Sequence, residues 1–209
     1  ADPVTRTFAV KVALAGEAVR SALADAGIDY AKVQQAYVGY VYGDSTSGQK
    51  ALYGVGLTGI PVVNVNNNCA TGSTALWLAR NAILSGQAEC VLALGFEQMQ
   101  PGALVEHWKD RPGPQVDFIK VTTDVAYDGD VPLAPKMFGG AGIAHQNKYG
   151  TKDTTFAAIR AKASRHAVHN ARAIFRKEVS VDEVMASPPV TRLLTRLQCC
   201  PHTCGAAAA

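Results

Sequence analysis

An α/β fold on parallel strands, with a helical insertion beside the sheet, is predicted by three observations. The first is a short apolar strand, Val62 to Asn66, that runs straight into a helical pattern at Cys69. The second is Glu89 to Gly95, a continuous apolar run of the kind that parallel strands buried on both faces show. Strand, helix and strand within about 35 residues make a βαβ unit, with a right-handed crossover expected. The third is a change of texture after Met99. Pro101, Pro112, Pro114, Pro132 and Pro135 punctuate a stretch with little periodicity, and helical patterns follow it.

The elements follow in order. Thr7 to Val10 has the look of an opening strand. From Lys11 to Gly27, Val12, Leu14, Ala15, Ala18, Val19, Ala22, Leu23 and Ala26 form a helical stripe, closed by glycine. Ala36 to Tyr42, rich in valine and tyrosine, predicts a strand, and Gly43 to Gly48 a loop. Gln49 to Leu57 predicts a short helix that stops before Pro61. The helix at Cys69 runs to about Ser85 and ends at Gly86. Its apolar faces and its small residues Gly72, Ser73 and Ala75 suit close burial between layers. Ala141 to Tyr149, Phe156 to Asn170 and Val181 to Ser187 predict helices, the last with Ser180 and Glu183 as a capping signature. Gly205 to Ala209 looks like the start of another strand. Residues 1–99 and 191–209 are therefore assigned to an α/β domain and residues 100–190 to the insertion.

Composition narrows the partners. With 209 residues, 48% of them hydrophobic, the chain can bury a substantial core. A net charge of +3, with basic residues scattered and blocks no longer than a pair such as Arg176-Lys177, argues against nucleic acid. No apolar run approaches the roughly 18 residues of a membrane span, and the amino end lacks a signal-peptide core. An intracellular protein is expected. The odd number of cysteines (Cys69, Cys90, Cys199, Cys200 and Cys204) then points to reduced thiols, and their spacing does not match a zinc site. No metal is expected.

Cys69 is the candidate nucleophile. It follows Asn66, Asn67 and Asn68, poor strand formers that tolerate left-handed backbone and bond locally in tight turns. A thiol where such a turn opens a helix faces unpaired N–H groups and the positive end of the helix dipole, which favour the thiolate. The alternative is a packed structural cysteine. Gly43 to Lys50 superficially matches a phosphate loop, but Gln49 stands where lysine is required. His166 and His169 read as solvated residues on a basic helix, His107 and His145 as surface residues of the insertion, and Cys90 as a mid-strand core residue.

Three of these segments, Asn66-Asn-Asn-Cys-Ala-Thr-Gly-Ser73, Val38-Gly-Tyr-Val-Tyr-Gly-Asp-Ser-Thr46 and Leu92-Ala-Leu-Gly-Phe-Glu-Gln-Met99, resemble the sterol carrier protein-type thiolases. Pro135-Lys-Met-Phe-Gly-Gly-Ala-Gly142, Asp182 to Ser187 and Gln198-Cys-Cys-Pro201 match further motifs in the same order. The resemblance implies a thiolase-like fold, with two α/β halves stacked in five layers and a loop domain interrupting the first. This chain would supply the first βαβ half and the helical loop domain. It also implies that Cys69 takes the acyl group from a 3-ketoacyl-CoA, releasing acetyl-CoA, and passes it to coenzyme A, a co-substrate; no bound cofactor is implied. Met137 and Phe138 match the loop-domain motif that lines the acyl and pantetheine pocket. A homodimer and a peroxisomal or cytoplasmic site follow from the same likeness. The family's activating histidine and its acid–base histidine and cysteine belong to second-half motifs that do not occur in these 209 residues. Cys204 stands where the family usually has aspartate before the glycine-alanine run. Two rivals stand beside the thiolase: a non-catalytic acyl-CoA or lipid-binding module or partner subunit, and a ketoacyl-synthase-like condensing enzyme.

Overall fold

A computed structural model describes residues 3–99, 106, 108–126 and 131–209. The chain divides into two units, Ala1–Val105 with His202–Ala209, and Glu106–Pro201.

The first unit is a four-stranded mixed sheet with helices on both faces. Its strands are β1 (Gln35–Gly39), β2 (Val62–Val65), β3 (Val91–Gln98) and β4 (Cys204–Ala208), in the order β2-β1-β3-β4. The first three are mutually parallel, and β4 runs antiparallel to β3. Register puts Ala36 beside Leu92, Val38 beside Leu94 and Gly39 beside Gly95. Because side chains alternate across a strand, Ala36, Val38, Tyr40, Leu92, Leu94 and Phe96 share one face. They form the core there with Ala15, Ala18 and Val19 of α1 (Pro3–Ala26) and Ala51 and Leu52 of α2 (Ser47–Tyr53). The Tyr40 and Phe96 rings stack at 5.4 Å. The other face carries Gly39, Ala93 and Gly95 and receives α3 (Thr71–Leu84), which buries Thr71, Ala75, Ala79 and Ala82. Its opposite side leaves Leu76, Trp77, Ile83 and Leu84 exposed.

Several expectations are corrected. Thr7 to Val10 is helical, because no turn residue separates it from Lys11 and α1 runs back to Pro3, a residue suited to a helix start. Cys90 lies just before β3 rather than within it, its N–H donating to Gln34 Oε1 at 3.2 Å. The second helix begins two residues early, at Ser47, because Asn64 Oδ1 accepts from the Gly48 N–H at 2.9 Å. That bond also commits an N–H of the loop once compared with a phosphate site.

The second unit is helical: α4 (Val116–Ala126), α5 (Leu133–Tyr149), α6 (Asp153–Val168) and α7 (Val181–Ala186). Sequence periodicity missed α4 because threonines sit on its half-buried side; Thr122 Oγ1 donates to Phe118 and Ile119 carbonyls at 3.0 and 2.9 Å. It also started α5 eight residues late. Pro135 falls in the first helical turn, where no N–H is required. Gly139 and Gly142 are close-approach positions, since a Cβ on either would meet Thr191 or Leu193. Residues 191–201 accordingly belong with this unit, and not with the sheet as the sequence reading placed them. Thr195 Oγ1 donates to the Val184 carbonyl at 2.8 Å, and the Leu197 carbonyl accepts from Arg160 Nε at 2.7 Å.

The capping box at α7 is present. Ser180 Oγ accepts from Glu183 N at 3.1 Å, and Glu183 Oε2 accepts from Ser180 N at 2.8 Å. The Ser180 backbone N–H, then its side chain, holds the Glu183 carboxyl below the usual carboxylate range. A depressed carboxylate pKa stabilises the folded state above the unfolded value and ceases to do so as pH falls through the folded one. Ser180→Ala is expected to cost about 1 kcal/mol at neutral pH, measured by urea unfolding.

Candidate active site

The site grows from the end of β2. Beyond Val65 the chain enters an asparagine turn in which Asn66 Oδ1 accepts from the Asn68 N–H at 3.2 Å. Asn68 takes the left-handed region at φ 48°, which asparagine enters more easily than most residues. Two short backbone bonds tighten the turn, Ala70 N to Asn67 O at 3.0 Å and Thr71 N to Asn68 O at 3.1 Å. Helix α3 starts at Thr71 with Ala70 as its N-cap, so Cys69 lies in the turn just ahead of the helix instead of opening it. The thiol is exposed, and Sγ lies 3.9 Å from Asn68 Oδ1. It therefore stands at the carboxyl edge of parallel strands and the amino end of a helix. Open α/β sheets hold ligands there, and the amino ends of helices favour negative charge.

Thr71 is the anchor of the turn. It is 5% exposed; its Oγ1 donates to Asn68 O at 2.5 Å and accepts from Asn67 N at 2.8 Å. Asn67 Nδ2 adds a bond to Thr74 Oγ1 at 2.9 Å. The helix can come this close to the sheet because Gly39 lacks a side chain: a Cβ there would lie 2.8 Å from Thr71 Cγ2 and 3.0 Å from Thr71 O. Gly95, its neighbour in β3, lies under Gly72, whose Cα would be 3.4 Å from a Cβ there, an ordinary contact and not a clash. Sequence reasoning missed this pair, although glycine inside a strand pattern is a signal of close backbone approach. Gly39→Ala is expected to lift the first turn of α3 and destabilise the fold by about 1–3 kcal/mol, read from denaturant midpoints.

A second unforeseen residue fixes the neighbouring loop. Glu97 Oε2 accepts the N–H groups of Val41 and Tyr42 at 2.8 and 3.1 Å, and Oε1 accepts from Gln98 N at 3.0 Å. Tyr40, Val41, Gly43, Ser45, Asn64, Val65 and Asn66 then wall a small cleft of about 190 Å³. Asn66 contributes to both this cleft and the turn that carries Cys69.

Met137 and Phe138 belong to the other unit, in the first two turns of α5; Met137 is half-buried and Phe138 is 66% exposed. That unit has a cleft of about 470 Å³ with an apolar floor that includes Val179 and Leu197. Phe175, Arg160 and Lys177 line it too, and the Glu183 carboxylate offsets part of their positive charge. His145 Nδ1 is 2.9 Å from Thr151 Oγ1 and its ring packs on Tyr149; His166 and His169 are exposed at the end of α6. His107 lies outside the described residues. Among the described residues there is no cluster of three or more histidine, cysteine or acidic side chains able to hold a metal, and no helix long and apolar enough to cross a membrane. Burial, and secondarily Cys200, pushes the Cys199 thiol up. Cys200, exposed, is expected to alkylate ahead of Cys199 at neutral pH, as peptide mapping after iodoacetamide treatment can check.

A family profile described as "Thiolase, N-terminal domain" matches residues 6–187. The chain belongs to the thiolase family. This thiolase chain is 54% identical over 197 residues to Sterol carrier protein 2 of Oryctolagus cuniculus, covering 94% of this chain and 36% of that protein. It is 30% identical to Acetyl-CoA acetyltransferase of Methanothermobacter thermautotrophicus, over 92% of this chain and 49% of that one. In fold it is similar to the solved structure titled "Ltp2-ChsH2(DUF35) aldolase", with TM-score 0.68, 18% identity, and coverage of 95% and 49% of the two chains. The chain thus spans about a third to a half of the length of these relatives. The matched residues include β1, β2, β3, α3 and Cys69 of the sheet unit and α4 to α7 of the helical one.

Proposed function

We propose that this chain carries the nucleophilic half of a 3-ketoacyl-CoA thiolase, an acetyl-CoA C-acyltransferase of fatty-acid or sterol side-chain β-oxidation. The observation behind the reading is the exposed Cys69 on a hydrogen-bonded strand-to-helix turn in a thiolase-family fold. In this reaction Cys69 Sγ attacks the 3-keto carbon, and the bond between carbons 2 and 3 breaks. The electron pair leaves on acetyl-CoA, which takes up a proton, and the acyl group remains as a thioester on Cys69. The thiol of coenzyme A, as co-substrate, gives up its proton and displaces the acyl group as a shortened acyl-CoA. The base and acid for these proton transfers are assigned to the second-half motifs that the family likeness implies.

The binding roles follow from chemistry. Phe138, with its exposed ring, and Met137 are assigned to the acyl and pantetheine portion. The larger cleft, with Arg160, Lys177 and Phe175 around an apolar floor, suits the anionic and aromatic end of coenzyme A. The exposed Leu76, Trp77, Ile83 and Leu84 of α3 are a face for a second α/β half to cover. Among the described strands β2 pairs with β1 alone, and its open edge, with Val63 46% exposed, supports pairing with a second copy as a homodimer. Peroxisomal or cytoplasmic action accompanies this reading. The carrier name of the rabbit relative supports a second reading, an acyl-CoA or lipid-binding module without turnover.

Product analysis separates them. The full-length protein given a 3-ketoacyl-CoA and coenzyme A should release acetyl-CoA and a chain-shortened acyl-CoA in equal amounts. Saturable binding without either product would establish the module. Consumption of acetyl-CoA as the dominant reaction would point to condensation.

A further inference from the structure

We propose that Thr71 is a positioning residue for Cys69, its hydroxyl closing the turn that aims the sulfur while its methyl seats that turn on the sheet. The proposal rests on the reading of Cys69 as the nucleophile. The two functions are carried by different atoms. Oγ1 donates to the Asn68 carbonyl at 2.5 Å and accepts from the Asn67 N–H at 2.8 Å, so it bonds to the two residues immediately before Cys69. Because Asn68 is at φ 48°, the peptide that leads into Cys69 is turned away from the direction of β2, and these bonds hold it there. Cγ2 would stand 2.8 Å from a Cβ on Gly39, which shows how tightly the methyl is set against β1. Among the described residues the side-chain hydrogen bond of Cys69 is to its neighbour Asn68 Oδ1, at 3.9 Å, so the backbone that Thr71 holds sets the position of Sγ.

This division makes the proposal separable from stability. Thr71→Val keeps the methyl and shape but removes the hydroxyl, so the Asn67 N–H loses that acceptor and the Asn68 carbonyl keeps its bond from the Thr71 N–H. Thr71→Ser keeps the hydroxyl and removes the methyl. The experiment follows iodoacetamide labelling of each cysteine in the full-length protein by peptide mass mapping, with thermal melting alongside. Cys69 should label faster than the exposed Cys200 and Cys204 in the wild type. Thr71→Val should slow Cys69 by about tenfold, while Thr71→Ser should stay within about threefold of wild type. Cys200 and Cys204 should keep their rates in all three proteins. Equal Cys69 rates in Thr71→Val and wild type would overturn the proposal. So would a Thr71→Ser rate that falls as far as that of Thr71→Val, since the loss would then track packing. If Thr71→Val does not fold, Thr71→Ser decides alone: retained Cys69 labelling at a lowered melting temperature supports the assignment, and lost labelling overturns it. The labelling order does not depend on turnover. A wild type that labels as described but forms no acyl adduct would refute the thiolase reading and leave the positioning role standing.

Discussion

Cys69→Ser is expected to lower thiolysis on the order of a thousandfold or more, equivalent to about 4 kcal/mol of barrier, while leaving folding stability unchanged within about 0.5 kcal/mol. A hydroxyl is a far weaker nucleophile than a thiol without a dedicated base, whereas the exposed sulfur adds little to packing. Among the described residues its side-chain hydrogen bond is to Asn68 Oδ1 at 3.9 Å. The pairing of the two results carries the argument. A structural cysteine would show the opposite pattern, with stability lost and residual activity in proportion to folded protein. Steady-state kinetics and urea unfolding on the same preparation measure both.

The largest expected effect on stability is at Leu94. It is 1% exposed in β3, between β1 and β4, with Val38 beside it on one side and Ala208 on the other. Removing most of its side chain forfeits transfer free energy and leaves a cavity that the sheet cannot close, because strands on both sides fix its backbone. Leu94→Ala is expected to cost about 2–5 kcal/mol. A shift in the denaturant midpoint with an unchanged slope would show it, and a loss under about 1 kcal/mol would mean that this strand is not central to the fold.

Much of the sheet and the candidate nucleophile was legible because the signals were local. Apolar β3, the asparagine turn and the small-residue face of α3 each declare themselves within a few residues. Part of what escaped depends on distant groups. The role of Gly39 appears only when Thr71, thirty-two positions later, lies against it. Glu97 reads as a polar strand end until the N–H groups of Val41 and Tyr42 converge on it. The early start of α5 was hidden by Pro135 and by the glycines that make room for Thr191 and Leu193, and α4 by threonines on its inner side. The start of α3 was placed two residues early, at Cys69, since hydropathy cannot show that Ala70 serves as the cap. For Gly39, Glu97 and α5 tertiary contact decided the outcome, whereas α4 and the start of α3 turned on short-range hydrogen bonds that hydropathy does not encode.

The most direct test is to trap the acyl-enzyme. The full-length protein, mixed with a 3-ketoacyl-CoA in the absence of free coenzyme A and quenched in acid, should gain the mass of the shortened acyl chain, with the adduct mapped to the peptide containing Cys69 and free acetyl-CoA in matching amount. An adduct on any other residue, or acetyl-CoA release with Cys69 unmodified at every quench time, would contradict the account.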